Sequence, residues 1–264
     1  MSDVPGGWLN YTDYRGGTAH TVSGRVVVQP QVYSPQLDNR RDVLVYLPPS
    51  HAAGERAYPV LYLQDGQNLF DAGTAFGGHE WQVDETLEAL NAAGLEAVVV
   101  GLPHMDADRI AEYNPFAARG GRGEAYLSFV LETVKPLIDA SFHTRMERES
   151  TFIGGSSMGG LISFYGFLQH PEAFGGVLAM SPAFWYGGRA LYEFVSQRGW
   201  QPGRVYLDRG TTERGGAGRM AELLVTLGYA PETQVRYVEE EGGEHTETAW
   251  ARRLPEALRF LLRL

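Results

Sequence analysis

The run Thr151-Phe152-Ile153-Gly154-Gly155-Ser156-Ser157-Met158-Gly159-Gly160-Leu161-Ile162 carries a β-prone tripeptide into a serine with glycine two residues to either side, and leaves through apolar residues at helical spacing. A serine hydroxyl attacks a carbonyl only when a tight turn holds it clear of its neighbours and a base takes its proton. Strand, glycine-flanked turn and helix in that order form a nucleophile elbow, with Ser157 at its tip. The five-residue pattern alone is a weak signal. The Thr-Phe-Ile before it, and Leu161, Ile162, Phe164, Tyr165 and Leu168 after it, supply the required context.

A base and an orienting acid should follow in the chain order serine, acid, histidine. Of the seven histidines, only His245 lies beyond Ser157 in a glycine-rich loop, Glu241-Gly242-Gly243-Glu244-His245-Thr246-Glu247. His170 sits beside Pro171 and reads as a helix-terminal cation. The acid has two candidates in Asp208-Arg209-Gly210-Thr211-Thr212-Glu213. Glu213 is preferred, because the carboxylate must leave the strand end and curl back to an imidazole; Asp208 is the alternative, otherwise a structural carboxylate bonding loop amides. An oxyanion hole takes one amide from the residue after the nucleophile, Met158, and a second from the loop after the third strand, where Asp65-Gly66-Gln67 points to Gln67.

These residues need a scaffold that gathers strand ends. Apolar runs and alternation predict strands at Arg25 to Val32, Asp42 to Leu47, Pro59 to Leu63, Ala97 to Leu102, Thr151 to Gly154, Gly175 to Ala179, Arg204 to Asp208 and Gln234 to Val238. Helical spacing recurs at about Gln82 to Ala92, Ala125 to Ala140, Met158 to His170, Ala217 to Leu227 and Thr246 to Leu262. Two strands come first, then β and α alternate. That order implies an α/β fold: a mostly parallel eight-stranded sheet with helices on both faces, antiparallel only near its N-terminal edge. Ligands of such a sheet bind beyond the carboxyl ends of the strands, where all the candidates fall.

At 264 residues and 44% hydrophobic, the chain is read as one domain over 1–264, with 1–40 as an N-terminal extension and edge strand. A net charge of −10 argues against nucleic acid and anionic membrane as partners. The absence of cysteine removes thiol nucleophiles, thiolate metal sites and disulfides. Residues 1 to 24 hold Asp3, Asp13, Arg15 and five glycines with no continuous apolar run, so no leader is expected and the default location is cytoplasmic. Phosphate-loop, dinucleotide and zincin motifs are missing, and Asp106 and Asp108 start a calcium-loop pattern that does not continue. Neither cofactor nor metal is expected, since serine chemistry needs none. The oligomeric state, a homodimer included, is left open.

The runs Val60 to Asn68, Arg109-Ile110-Ala111-Glu112-Tyr113-Asn114-Pro115, Gly154 to Leu161, Ser181-Pro182-Ala183-Phe184-Trp185 and His245 to Trp250 resemble the "putative esterase" family of α/β-hydrolases over about residues 40 to 264, nearest its enterochelin esterase-like branch. The resemblance implies an α/β-hydrolase fold and a serine carboxylesterase acting on small or short-chain esters, with Ser157 as nucleophile, His245 as base, Glu213 as acid and Gln67 as second oxyanion donor. A siderophore, carbohydrate or feruloyl ester, acyl transfer, and a non-catalytic binding role remain alternatives. Enterochelin esterases that act on the large catecholate trilactone usually carry an extra N-terminal domain, whereas about 40 residues precede the core here. The loops after the fourth and sixth strands should rim the crevice. Asp65, Gly66, Arg109, Tyr113 and Trp185 are therefore expected to line the substrate pocket, Tyr113 and Trp185 by stacking, with core packing or an Arg109–Glu112 ion pair as the competing roles.

Overall fold

The computed structural model describes residues 6–54 and 56–263. The parts of the expected 1–264 domain and of the leader reading that fall on 1–5, 55 and 264 lie outside them. A single sheet of nine strands forms the middle layer: β1 (Leu9–Asn10), β2 (Arg25–Ser34), β3 (Asn39–Leu47), β4 (Val60–Gln64), β5 (Val98–Leu102), β6 (Thr151–Ser156), β7 (Gly176–Met180), β8 (Arg204–Gly210) and β9 (Val235–Glu240). The eight strands read from the sequence are all present. The ninth, β1, is a two-residue edge strand pairing Leu9 with Val28, too short to leave a pattern.

The helices are α1 (Tyr11–Arg15), α2 (Val83–Asn91), α3 (Arg109–Glu112), α4 (Gly123–Ser128), α5 (Lys135–Ser141), α6 (Ser157–Gln169), α7 (Phe184–Arg198), α8 (Ala217–Thr226) and α9 (Glu247–Leu261). The span from Ala125 to Ala140, expected as one helix, is found within residues 123–141. It runs through a wider π turn at Phe129–Val134, directly before Pro136, which has no N–H to give the regular ladder. Periodicity also gives no helix between Ser181 and Gly203, where α7 stands. Its pattern is broken at Gly187-Gly188, and Gly188 leaves helical geometry at φ 52° and ψ −141°.

Strand order is β1-β2-β3-β5-β4-β6-β7-β8-β9. Pairing is antiparallel from β1 to β3 and between β3 and β5, and parallel from β5 to β9. The parallel strands β4 (VLYLQ) and β5 (VVVGL) are buried at every residue, the continuous apolar run that a sheet covered on both faces demands. One core lies under α4 to α8, the other under α1, α2 and α9. The chain winds outward from β4 in both directions, to β5 on one side and to β6 on the other. The crevice at that switch point opens between the carboxyl ends of β4 and β6, which carry Asp65 and Ser157.

Candidate active site

Ser157 begins α6 directly after β6, with its backbone in the left-handed region at φ 53°. A non-glycine residue held there is strained, and such strain persists only where surrounding packing imposes it. The packing is visible in the flanking glycines. A Cβ on Gly155 would lie 2.9 Å from the Gly159 carbonyl carbon and 3.0 Å from Gln64 Cβ, and one on Gly159 would lie 3.0 Å from Gln64 Cβ. Both glycines are needed because the elbow presses onto the end of β4.

His245 stands on the loop between β9 and α9, and its Nδ1 meets Glu213 Oε2 at 2.9 Å. The imidazole side chain is 46% exposed and the carboxylate 4%, so this pair has one wet and one dry partner. Two loops are fastened together to make it. Thr212 Oγ1 donates to the Gly243 carbonyl at 2.5 Å, Gly242 N–H donates to Thr211 Oγ1 at 2.8 Å, and a Cβ on Gly210 would fall 2.0 Å from the Gly243 oxygen. The edge of the imidazole packs on Trp250, with ring centroids 5.0 Å apart.

Burial alone would raise the Glu213 carboxyl, but hydrogen bonds from His245, the Gly210 N–H (2.8 Å) and Ser181 Oγ (2.8 Å) outweigh it and hold the group below its ordinary range. Ser181 Oγ also accepts from Trp250 Nε1 and Arg253 Nη2, each at 3.0 Å. Asp208, the alternative acid, is fully buried at the end of β8. It accepts the Ser181 N–H at 2.9 Å and faces Arg253 Nε at 3.5 Å. Burial pushes its carboxyl up to about 7 despite the arginine.

Ser157 and His245 line a cleft of about 340 Å³ with Asp65, Asn68, Phe76, His104, Arg109, Glu247 and Trp250. They also line a second cleft of about 370 Å³ with Trp185, Thr212, Glu213 and Arg214. Among the described residues no direct hydrogen bond joins Ser157 to His245. The N–H of Met158 points from the first turn of α6, where helix geometry leaves amides unpaired. Gln67 lies in the short turn Gly66–Asn68. Its side chain accepts from His104 N–H at 3.3 Å and its carbonyl from Thr74 Oγ1 at 2.7 Å. Gly66 is fixed by close approach, since a Cβ there would lie 2.5 Å from the Gly101 carbonyl carbon.

The pocket expectations divide. Asp65 and Arg109 line the first cleft and Trp185, 68% exposed, the second. Tyr113 does not line either: it is wholly buried against Tyr126, and its hydroxyl accepts the Asp65 N–H at 3.1 Å. Trp185 belongs to the first turn of α7, not to a loop. Nor do Arg109 and Glu112 pair. Arg109 grips Asp65 through Nε and Nη2, both at 2.7 Å, while Glu112 pairs with Arg41 at 2.7 Å. Burial would lower the Arg109 guanidinium, but the Asp65 bonds more than offset this and raise it above its ordinary range. Asn68, Phe76, His104, Trp250, Ser181 and Arg253 carried no sequence signal beyond their neighbourhood, because only chain crossings bring them here.

Among the described residues, the carboxylate cluster that could hold a metal is Glu80, Asp84 and Glu85. It stands apart from both clefts, and burial together with Glu85 pushes Asp84 up to about 9. No helix of the described residues is long and apolar enough to cross a membrane.

Residues 34–261 match the family described as "Putative esterase". The chain is 32% identical over 185 residues to Uncharacterized protein YbbA of Bacillus subtilis, covering 66% of this chain and 69% of the other. It is 26% identical over 252 residues to Ferri-bacillibactin esterase BesA of Bacillus subtilis, covering 84% of each. The enterobactin esterase from Shigella flexneri superposes with a TM-score of 0.70 at 21% identity, over 96% of this chain but 62% of that one, a likeness of fold. The mostly parallel α/β sheet expected from the strand order and the α/β-hydrolase fold implied by the resemblance are therefore the ones found, and the chain belongs to the "Putative esterase" family.

Proposed function

We propose that the protein is a serine carboxylesterase that cleaves small or short-chain esters through an acyl-enzyme. The observation that carries this is the strained, left-handed Ser157 facing the same clefts as an imidazole whose far nitrogen is bonded to a buried carboxylate. Ser157 Oγ attacks the ester carbonyl while His245 Nε2 takes its proton, and the Met158 and Gln67 amides hold the tetrahedral oxyanion. Protonated His245 then delivers that proton to the departing alkoxide. Water, deprotonated by His245, attacks the acyl-enzyme and releases the acid. Glu213 fixes the tautomer in which Nδ1 carries the hydrogen, leaving Nε2 free to accept.

Two clefts that share Ser157 and His245 suit the two halves of an ester, with Trp185 offering an aromatic face and Arg214 a cationic rim in one of them. A siderophore-type ester is the second substrate reading, favoured by the ferri-bacillibactin esterase that aligns over 84% of both chains. The location is taken as cytoplasmic, with a small-molecule ester as the partner.

An activated fluorophosphonate tests the chemistry directly. Peptide mass spectrometry should find the adduct on Ser157 and none after Ser157→Ala. Labelling elsewhere, or none, contradicts the reading. Product analysis with added methanol separates hydrolysis from transfer, the free acid dominating if the assignment to esterases holds.

A further inference from the structure

Ser181 occupies a left-handed conformation at φ 41° directly after β7, and it meets Glu213, Asp208, Trp250 and Arg253 at once. Its hydroxyl has one hydrogen to give and two lone pairs. Both acceptor directions face groups that only donate, the Trp250 indole N–H and the Arg253 guanidinium, each at 3.0 Å. The single hydrogen has one acceptor in range, Glu213 Oε1 at 2.8 Å. The direction of that bond is thus fixed by its neighbours.

Ser181 and the Gly210 N–H both donate to Glu213 Oε1, leaving Oε2 to His245 Nδ1. The backbone is pinned as well: Ser181 N–H reaches Asp208 Oδ1 at 2.9 Å and the Asp208 carbonyl at 3.1 Å. The buried arginine spans the cluster, with Nε 3.5 Å from Asp208 Oδ2 and Nη2 3.6 Å from Glu213 Oε1.

We propose that Ser181 is a positioning residue for the proposed ester hydrolysis, its hydroxyl polarised by Trp250 and Arg253 and aimed at Glu213 so that one carboxylate oxygen is held for His245. The inference rests on the esterase reading above. It also explains why Asp208 is kept buried five residues from Glu213: Asp208 seats the Ser181 backbone and balances Arg253, and Glu213 is left to the imidazole.

The test compares Ser181→Ala, Ser181→Gly and Ser181→Thr in the full chain. Glycine accepts φ 41° without strain, so Ser181→Gly removes the hydroxyl and leaves the turn at ease. Both hydroxyl-less variants should lose kcat by about tenfold or more with KM unchanged, as outer-shell partners of catalytic ligands do, and Ser181→Thr should recover part of it. The downfield proton resonance of the His245–Glu213 bond should move upfield or vanish in Ser181→Gly and persist in Ser181→Thr. Should the alanine variant or the threonine variant, whose β-branch is strained further at φ 41°, fail to fold, kcat and the resonance of Ser181→Gly against wild type still carry the comparison. Wild-type kcat together with an unmoved resonance in Ser181→Gly overturns the proposal. The resonance is read without substrate, so an inactive wild-type protein contradicts the esterase reading while the resonance still decides on Ser181.

Discussion

Two carboxylates stand beyond the carboxyl ends of strands at the same crevice and are engaged in opposite ways. Asp65, after β4, gives both oxygens to the guanidinium of Arg109, a partner that never titrates. Glu213, after β8, gives one oxygen to fixed donors and the other to His245, whose side chain is half exposed. A permanent ion pair shapes a wall. A carboxylate bound to an imidazole can follow a proton that comes and goes. The same residue chemistry therefore yields a fixed ion pair at Asp65 and, at Glu213, the carboxylate–imidazole couple that the proposed ester chemistry uses.

The contrast is tested most severely by removing the couple. His245→Ala should lower kcat on a short-chain ester by on the order of 10⁴-fold or more with folding intact by circular dichroism, because the other imidazole of the clefts, His104, spends Nδ1 on the Asp106 N–H and has no buried carboxylate behind it. Glu213→Gln should cost on the order of 10³-fold in kcat, read with KM in the same assay, since the amide can favour the wrong imidazole tautomer. Asp65→Asn should do the reverse. It leaves Arg109 largely buried without its anion, so urea unfolding should show a loss of about 2 kcal/mol, reduced from the fully buried case because the arginine is partly exposed. Its effect on kcat should stay below about tenfold. Equal kinetic losses in Asp65→Asn and Glu213→Gln would erase the distinction.

The pH dependence of stability sharpens a second contrast, between Glu213 and Asp208. Glu213 is lowered from 4.5, so the folded state binds fewer protons than the unfolded one in acid; its stabilisation is complete above about 4.5 and is lost as pH falls through the depressed value. Asp208 is raised from 3.8 to about 7, so the folded state binds more protons there, and its contribution to stability declines as pH rises between those values. In chemical denaturation, Asp208→Asn should flatten part of the decline between about pH 4 and 7, while Glu213→Gln should lessen the acid sensitivity below 4.5 that Asp71, Glu147 and Glu239 share. A Glu213→Gln profile parallel to wild type below that pH contradicts the assignment. The smallest effect is expected at Trp185→Ala, a few-fold change in the ratio of rates on aromatic and acetyl esters; an unchanged ratio removes Trp185 from the pocket.

Much of this arrangement was legible before any coordinates. Buried parallel strands such as Val98–Leu102 announce themselves as unbroken apolar runs and others by alternation, and the eight found in these two ways put residues 65, 157, 213 and 245 after strand ends. What escaped had a physical reason. Helix α7 hides behind Gly187-Gly188, and β1 is two residues long. Tyr113 looked like a lining aromatic because an aromatic in a glycine-rich loop gives no sign of which way it turns, and it turns inward. Asp208 and Glu213 are five residues apart, and position after the strand end favours Glu213 without showing what either carboxylate meets. Their difference lies in the curl of the Gly210–Glu213 turn and in Arg253 and Trp250, which arrive from a helix 40 residues later.

The most direct measurement is the rate of p-nitrophenyl acetate hydrolysis by the purified protein and by Ser157→Ala at mildly alkaline pH. The account predicts clear turnover by the first and loss of nearly all of it in the second, with the fold retained. Equal rates in the two proteins, or no turnover in either, would contradict it.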